Sequence, residues 1–233
     1  MKKKSLNVIV GYAVSALALL VVLSTVLVSF VFAKYANERK QSMNVRVFAY
    51  GGDIDLALCE GAEDTPWEDA EHRFLLRPGT AYVFDPYVHL TVTDNDRDCY
   101  LFVKIELTGG EVTVDGVAYT AEDFVSYTAE DDWTQGDGEQ IPSNVYYMRV
   151  AGNVRDEYFP IMDKDRVLIP YETPERAFEA LTEENLPEIV ITAYAIELTE
   201  LEDATSVENT TPEGAWAWMM ANVTPVPVDT ETN

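Results

Sequence analysis

Three aspartates at alternate positions are the chain's clearest candidate metal ligands. Asp94, Asp96 and Asp98 lie in one acidic segment between two runs rich in β-forming residues. Calcium binds several oxygens at once, and alternating aspartates supply them in acidic loops. The segment lacks the glycine and the distal glutamate of an EF-hand loop, and Asp and Asn also form plain turns by bonding their own backbone. A calcium site and a solvated turn therefore both remain open.

The two histidines are the only imidazoles available to a zinc site. His72 follows Glu71 in an acidic stretch, and His89 lies in an alternating run, where we expect it to point outward or cover a sheet. A His-Glu-x-x-His metallopeptidase needs two histidines on one helical turn, and this sequence has no such motif. Gly-x-Ser-x-Gly and phosphate-binding glycine loops are also missing from the sequence. We predict no catalytic residues and no cofactor.

Cys59 and Cys99 are the only cysteines, and they lie forty residues apart. Outside the cell they could form a disulfide, which would restrict the unfolded chain and contribute about 2–4 kcal/mol. A cysteine can equally act as a small buried apolar side chain. The sequence leaves both alternatives open.

The charge balance excludes nucleic acid as a partner. The 233 residues include 16 Lys+Arg and 41 Asp+Glu, which gives a formal net charge of -25. Proteins bind phosphate backbones through clustered cations, which this composition does not supply. A hydrophobic fraction of 47% is too high for a disordered acidic chain, so we predict a folded domain.

The N-terminus predicts export. Lysines at positions 2–4 precede residues 5–33, which carry no charge. A basic start and an apolar core are typical of a signal peptide, although about 20 apolar residues can also span a bilayer as an anchor. Val31 and Ala33 have the small side chains that a signal peptidase requires, which places the cut between Ala33 and Lys34. We expect the remaining chain outside the cell, with membrane contact only through this segment.

Alternating apolar and polar residues dominate the exported part, so the predicted class is mainly β. Runs at 44–50 and 53–58 flank Gly51-Gly52 and predict a hairpin or other paired element. Residues 82–93 and 99–107 predict a second pair of strands, joined by the aspartate segment. Further strands are predicted around Gly109-Gly110 and Asp115-Gly116, at 145–150 and at 188–198.

Two Thr-Pro-Glu sequences predict short helices. Thr173 and Thr211 each offer a hydroxyl N-cap, a proline for the first helical position and an acid for the first turn. Each helix should pack one apolar edge onto the sheets. The expected apolar pairs are Phe178 with Leu181 and Trp216 with Met220.

Several short motifs follow one another in an order that resembles a known family. The motifs are Pro78-Gly79, Asp85-Pro86, Val88–Thr93, Cys99–Glu106, Val145–Val150, Ile191–Glu197 and Ala215–Trp218, after Phe32–Tyr35 at the end of the apolar segment. Together they resemble the TasA and camelysin family of exported bacterial matrix and envelope proteins. The resemblance implies a dedicated signal peptidase, a jelly-roll-like antiparallel β-sandwich and assembly into biofilm-matrix fibres or an envelope coat.

These patterns divide the chain into three segments. We predict a signal peptide or signal-anchor at 1–33, a β-sandwich domain at 34–222 and a disordered tail at 223–233. The expected partners are a signal peptidase during export and further copies of this chain or related matrix proteins. The expected location is the extracellular matrix or the cell surface of a bacterium.

Two functions remain open. One is a structural subunit that assembles by strand donation from residues 34–50, whose basic start contrasts with the 57 residues after Arg176, which contain 12 acids and no cation. The other is an anchored module that binds glycan or calcium without polymerising. Tyrosines could form its glycan-binding face, although cross-strand packing also explains them. They are Tyr82, Tyr87, Tyr100, Tyr146, Tyr147 and Tyr194.

We predict cleavage directly after Ala33, because the apolar core ends there at the charged Lys34. Intact-mass measurement on the protein released by the secreting cell should give a chain that begins at Lys34. An intact N-terminus on membrane-bound protein would instead establish the anchor.

Overall fold

The computed structural model describes residues 44–50, 54–61, 65–66, 76–92, 98–152, 156–198 and 211–222. The described chain is mainly β, as predicted, with short helices between strands. The strands are β1 (Asn44–Tyr50), β2 (Ile54–Glu60), β3 (Thr65–Pro66), β4 (Ala81–Val83), β5 (Pro86–Val92), β6 (Cys99–Thr108), β7 (Val112–Val114), β8 (Val117–Tyr119), β9 (Ser126–Ala129), β10 (Thr134–Gln135), β11 (Val145–Val150), β12 (Asp156–Pro160), β13 (Met162–Leu168) and β14 (Glu188–Glu197). The helices are α1 (Ala121–Phe124), α2 (Glu175–Ala180) and α3 (Pro212–Asn222).

The largest sheet, which we call sheet A, has the order β1-β14-β6-β11-β10. Its two longest strands, β6 and β14, pair antiparallel from Cys99 opposite Glu197 to Thr108 opposite Glu188. Both strands are almost continuously buried, which is the pattern of strands covered on both faces. The other pairs are antiparallel as well, except that β1 runs parallel to β14.

The second sheet, sheet B, has the order β12-β5-β2-β3 and is antiparallel. In β5 the buried residues alternate with half-buried ones, so one face of this sheet packs inward. Val88 and Leu90 on that face stand opposite Leu58 and Leu56 of β2. These four side chains are all buried.

Two smaller sheets complete the described fold. Sheet C has the order β4-β13-β9, and sheet D is the hairpin of β7 and β8. The hairpin turns at Asp115 and Gly116, whose φ angles are 52° and 82°. Positive φ at both central residues is the geometry of a type I′ turn, which suits the right-handed twist of the paired strands. The turn signal in the sequence is thereby confirmed.

One main core cluster joins sheets A, B and C. It contains inward side chains of β2, β5, β6, β13 and β14, together with Phe124 of α1 and Phe178 of α2. A second cluster lies on the other face of sheet A, where Trp216 of α3 packs on Phe102 and Tyr194 with ring centroids 5.4 and 5.5 Å away. Sheet A is therefore covered on one face by the main core and on the other by α3.

Both predicted strand pairings are wrong. β1 lies in sheet A while β2 lies in sheet B, so residues 44–50 and 53–58 do not form a hairpin. β5 and β6 are likewise separated between sheets B and A, although the sequence predicted them as one pair. Alternation shows which face of a strand is apolar, and β5 and β6 do place apolar side chains in the same main core. It does not show which neighbour takes the backbone hydrogen bonds.

The two predicted helices are present, but their ends differ from the prediction. In α2 the N-cap is Pro174, and the Thr173 hydroxyl donates instead to the backbone carbonyl of Asp123. In α3 the prediction of the cap is confirmed, since the Gly214 N–H donates to the Thr211 hydroxyl oxygen at 3.1 Å. A third helix, α1, was not predicted.

The apolar edge of α3 is also shifted by one residue. Trp216 is buried with Met219, whereas Met220 is 44% exposed, so the predicted pairing of Trp216 with Met220 is wrong. The two buried residues of this helix face are therefore three positions apart rather than four. In α2 both Phe178 and the following Leu181 are buried, as expected.

The unpredicted α1 has a recognisable start. The Thr120 N–H donates to the Asp123 carboxylate at 2.8 Å, which is one half of a capping box. The sequence signal, a threonine three residues before an acid, was present but stood in a short segment with little apolar periodicity.

The predicted apolar segment at 5–33 and the predicted tail at 223–233 lie outside the described residues. Within the part of the chain that the structure describes, no helix has the length and apolar character needed to cross a membrane.

Gly109 lies in the turn between β6 and β7, and Gly116 lies in the turn between β7 and β8. Together they form a matched pair for testing how closely the first turn is packed. Both have positive φ, at 71° and 82°, but a methyl group at Gly109 would overlap the Leu186 carbonyl oxygen, whereas one at Gly116 has open space. We expect Gly116→Ala to cost about 1–2 kcal/mol through backbone conformation alone, and Gly109→Ala to cost at least about 1 kcal/mol more. Urea unfolding measures both, and equal losses would contradict the predicted clash.

Candidate functional site

The edge of sheet A formed by β1 and β14 is the candidate assembly site, and we call it the assembly edge. β1 pairs with β14 over seven residues, from Asn44 opposite Val190 to Tyr50 opposite Ile196. β1 is the last strand of the sheet, so within the described residues its outer side carries no further strand. Unpaired backbone groups at such an edge are a template for another strand.

β14 needs a paired strand on the side that β1 occupies. Six successive residues, from Ile191 to Ile196, are buried. Ile191, Ala193 and Ala195 belong to the main core, while Tyr194 and Ile196 belong to the cluster under α3. A strand buried on both faces also needs partners on both sides, because unpaired backbone groups in an apolar setting are costly. β6 supplies one partner and β1 supplies the other.

The connection behind β1 is short. Only residues 51–53 separate the end of β1 in sheet A from the start of β2 in sheet B. Short connections between strands favour domain swapping when they are strained, because opening them releases the strain.

The aspartate segment is held at one end by Asp98. Its Oδ2 accepts from Arg149 Nε at 2.8 Å and Nη2 at 2.6 Å, and its Oδ1 accepts from the Gly152 N–H at 2.9 Å. Its backbone carbonyl accepts from the Leu198 N–H at 2.8 Å. Asp98 thus ties the start of β6 to the end of β11 and to the end of β14.

These bonds bear on the calcium prediction. The hydrogen bond from Gly152 and then that from Arg149 hold the pKa of Asp98 below its usual range. Calcium would have to compete with Arg149 for the same carboxylate. Asp94 and Asp96 lie outside the described residues, so the calcium site as a whole stays a prediction. Among described side chains, no group of three or more His, Cys, Asp or Glu is placed to hold a metal.

The two cysteines lie in different sheets and are not bonded to each other in the structure. Cys99 on β6 is part of the main core. Cys59 follows the inward-facing Leu58 on β2, so alternation directs it to the opposite face of sheet B. A bridge would have to pass through sheet B, and the structure favours two buried thiols. Burial raises the pKa of the Cys99 thiol to about 12, which suppresses its reactive thiolate.

His89 lies on the outward face of sheet B, in line with the expectation. Its ring stacks on Tyr158 at a centroid distance of 4.2 Å, and its Nε2 is 2.6 Å from Asp156 Oδ1. Both partners come from β12, so this contact links the two strands side by side. His72, the other candidate zinc ligand, lies outside the described residues.

The tyrosines proposed as a glycan-binding face do not share one surface. Tyr100, Tyr147 and Tyr194 pack around the cluster under α3. Tyr82 and Tyr146 pack against the main core instead. Tyr87 belongs to sheet B, opposite Cys59. Packing therefore explains most of these rings, and the sequence could not distinguish packing from a binding face.

An open cavity of about 510 Å³ lies beside the C-terminal end of β6 and the N-terminal end of β11. Tyr127 and Tyr146 contribute aromatic rings, and burial together with Tyr146 raises the pKa of the Tyr127 phenol, so it stays protonated. Glu106 and Glu122 are the charged residues of the lining, which contains no Lys or Arg. Such a lining suits neutral or cationic groups and repels anions. The remaining lining residues are Ile105, Leu107, Thr108, Val125, Ser126 and Asn144.

This cavity was not anticipated from the sequence. It forms where β9 of sheet C approaches β6 and β11 of sheet A, and those strands are distant in sequence. Glu106 and Glu122 are two of 41 acids, so nothing local distinguishes them.

Comparison with known proteins gives no further information on identity. No protein-family model matches the chain, and no curated protein or solved structure matches it significantly. The resemblance to the TasA and camelysin family stays a prediction from the sequence.

Asp98→Asn tests the tie between β6, β11 and β14. We expect a loss of about 1–2 kcal/mol at pH 7, a range that allows for the partial solvent exposure of the pair. Because the pKa of Asp98 is lowered on folding, its contribution is present above about pH 4 and is lost as the pH falls through the folded-state value. The difference between wild type and variant should therefore shrink in acid.

Chemical denaturation between pH 2.5 and pH 7 measures this difference. Arg176→Gln is the matched control, since its contact with Asp115 joins two side chains that are 74% and 75% exposed. It should change stability by less than about 0.5 kcal/mol. A pH-independent loss in Asp98→Asn would contradict the assignment.

Proposed function

We propose that this protein is an exported structural subunit that assembles into fibres of a bacterial extracellular matrix or envelope. Its domain is a jelly-roll-like β-sandwich, in which sheets A and B supply opposite sides of the main core. Assembly occurs by strand donation, in which β1 of one copy replaces the next copy's own β1 beside β14. The observation that carries this proposal is the position of β1, the first described strand, at the edge of sheet A against the buried β14.

Exchange of β1 between copies preserves the contacts of the closed subunit. A neighbour's β1 can make the same seven-residue pairing with Val190–Ile196 that the subunit's own β1 makes. The backbone hydrogen bonds supply most of this recognition. Each subunit accepts one strand and gives one, so the contact is heterologous and propagates as an open filament unless it closes into a ring.

The charge distribution along the sequence supports a head-to-tail arrangement. Lys34, Arg39 and Lys40 precede β1, whereas the 57 residues after Arg176 contain 12 acids and no cation. A basic start on one copy is thus attracted to the acidic body of the next. The remaining parts of the proposal, namely export, release by a signal peptidase and the absence of catalysis, rest on the sequence patterns and the family resemblance.

A synthetic peptide of residues 34–50 tests strand donation directly. The peptide contains β1 but no domain to extend the fibre, so it should occupy assembly edges and terminate growth. Electron microscopy and sedimentation of the chain beginning at Lys34 should show filaments at neutral pH, and a tenfold excess of peptide should shorten them severalfold.

The matched control is a peptide with the same composition in shuffled order, which should leave filament length unchanged. A chain that stays monomeric at all concentrations would refute the fibre function. Filaments that respond equally to both peptides would refute donation by the N-terminal strand.

A further inference from the structure

Strand β6 continues past the start of its neighbour β11 in sheet A. β11 begins at Val145, which stands opposite Lys104, whereas β6 runs on to Thr108. The Ile105 N–H donates to the Asn144 carbonyl at 2.9 Å, and the Asn144 side-chain amide donates to the Ile105 carbonyl at 3.2 Å. These two bonds are the last that the described chain makes to β6 on the side of β11.

The next residue whose backbone groups point to this side is Leu107. In a strand, the N–H and C=O of one residue point to one side, and those of the following residue point to the other. The register places Pro142 opposite Leu107, and proline has no N–H to donate. The chain also turns away there, since the Val145 N–H donates back to the Pro142 carbonyl at 2.9 Å. Among the described residues, nothing bonds the N–H or C=O of Leu107 on this side.

The cavity of about 510 Å³ lies along this unpaired part of β6, since Glu106, Leu107 and Thr108 all contribute to its lining. Its volume falls in the range of ordinary ligand sites. An extended peptide placed here would continue the line of β11, antiparallel to β6, and would exchange two backbone hydrogen bonds with Leu107. The cavity thus contains the donor and the acceptor that strand addition uses.

The side chains around Leu107 indicate which residues such a strand needs. Leu107 packs against the main core, as do Tyr127 and Tyr146, so the residue opposite it would have apolar and aromatic neighbours. The residues before and after that position would point to the other face, which is the face of Glu106. Glu106 and Glu122 are the charged residues of the lining, so basic side chains are favoured there.

Both glutamates remain available to an added cation. Glu106 lies 2.7 Å from Lys104 through one oxygen, and Glu122 accepts from the Thr120 hydroxyl at 2.7 Å through one oxygen. An ionised carboxylate has about four acceptor positions on its two oxygens, so each can bind a further donor. Two acids and one lysine leave this part of the surface net negative.

We propose that the open end of β6 is a docking site for an extended segment of another polypeptide in which basic and apolar residues alternate. Backbone hydrogen bonds to Leu107 hold the segment as an added strand. One apolar side chain packs beside the two tyrosine rings, and one basic side chain pairs with Glu106. The site lies on the opposite side of β6 from β14, so it is distinct from the assembly edge. The inference goes beyond the proposed function and does not rest on it.

The peptide acetyl-Lys-Val-Lys-Val-Lys-amide is the probe, and backbone-amide NMR with hydrogen exchange on the chain beginning at Lys34 is the measurement. The Leu107 amide should shift on titration, with half-saturation at about 1 mM, and at saturation its exchange should slow at least about tenfold. A Leu107 amide that does not respond would overturn the proposal. One that is already protected in the free protein would also overturn it, because the chain itself would then fill the site.

The matched control is the same peptide with N-methyl groups on both valines. It keeps the charges and the apolar side chains but removes the two N–H groups that can donate to Leu107, so it should bind at least about fivefold more weakly. Equal binding of the two peptides would refute strand addition at this site.

Glu106→Gln provides an independent measurement, and Glu139→Gln is its control because Glu139 is exposed in a loop outside the cavity lining. The first should weaken binding of the unmethylated peptide about threefold, and the second should leave it unchanged. Equal affinities in the two variants would refute the pairing of a basic side chain with Glu106. Filament formation enters none of these measurements, so their outcome is separate from that of the fibre function.

Discussion

The ten-residue pairing of β6 with β14 is the constraint on which the rest of the described structure depends. Both strands are buried over most of their length, so each face requires a cover and each outer edge requires a strand. The main core covers one face and α3 covers the other through Trp216. β11 protects the free edge of β6, and β1 protects the free edge of β14. Removing any of these four elements exposes apolar surface or unpaired backbone groups at the centre of the domain.

The sequence predicted where strands lie better than which strands meet. Runs such as 145–150 and 188–198 were identified because alternation and β-branched residues are local properties. The predicted pairing of β5 with β6 failed because the two strands belong to different sheets, although both place apolar residues in one core. Pairing is a non-local property, and a single sequence contains no direct record of it.

The same limit explains the candidate sites. Asp98 was chosen for its spacing from Asp94 and Asp96, yet its contacts are with Arg149 and Gly152, more than fifty residues away. Cys59 and Cys99 were paired as the only two cysteines, and strand alternation then directs them to different faces. The thiol alternative and the turn alternative were both derivable from residue chemistry. The choice between a disulfide and two buried thiols required the fold.

Strand exchange alone does not favour a fibre, because donated and retained β1 make the same pairing with β14. A strand tethered to its own domain competes at an effective concentration of about 1 mM, so closed monomers prevail in more dilute protein. Assembly at lower concentration would need a favourable free-energy term that exists only between copies. A term of about 3 kcal/mol shifts the balance about a hundredfold, to about 10 µM. The pairing of β1 with β14 also joins residues far apart in sequence, so it forms late, and during that interval the edge of β14 is open to a neighbour. Under the proposed function, the N-terminal strand would set both whether the subunit closes on itself and when a neighbour's strand can bind it.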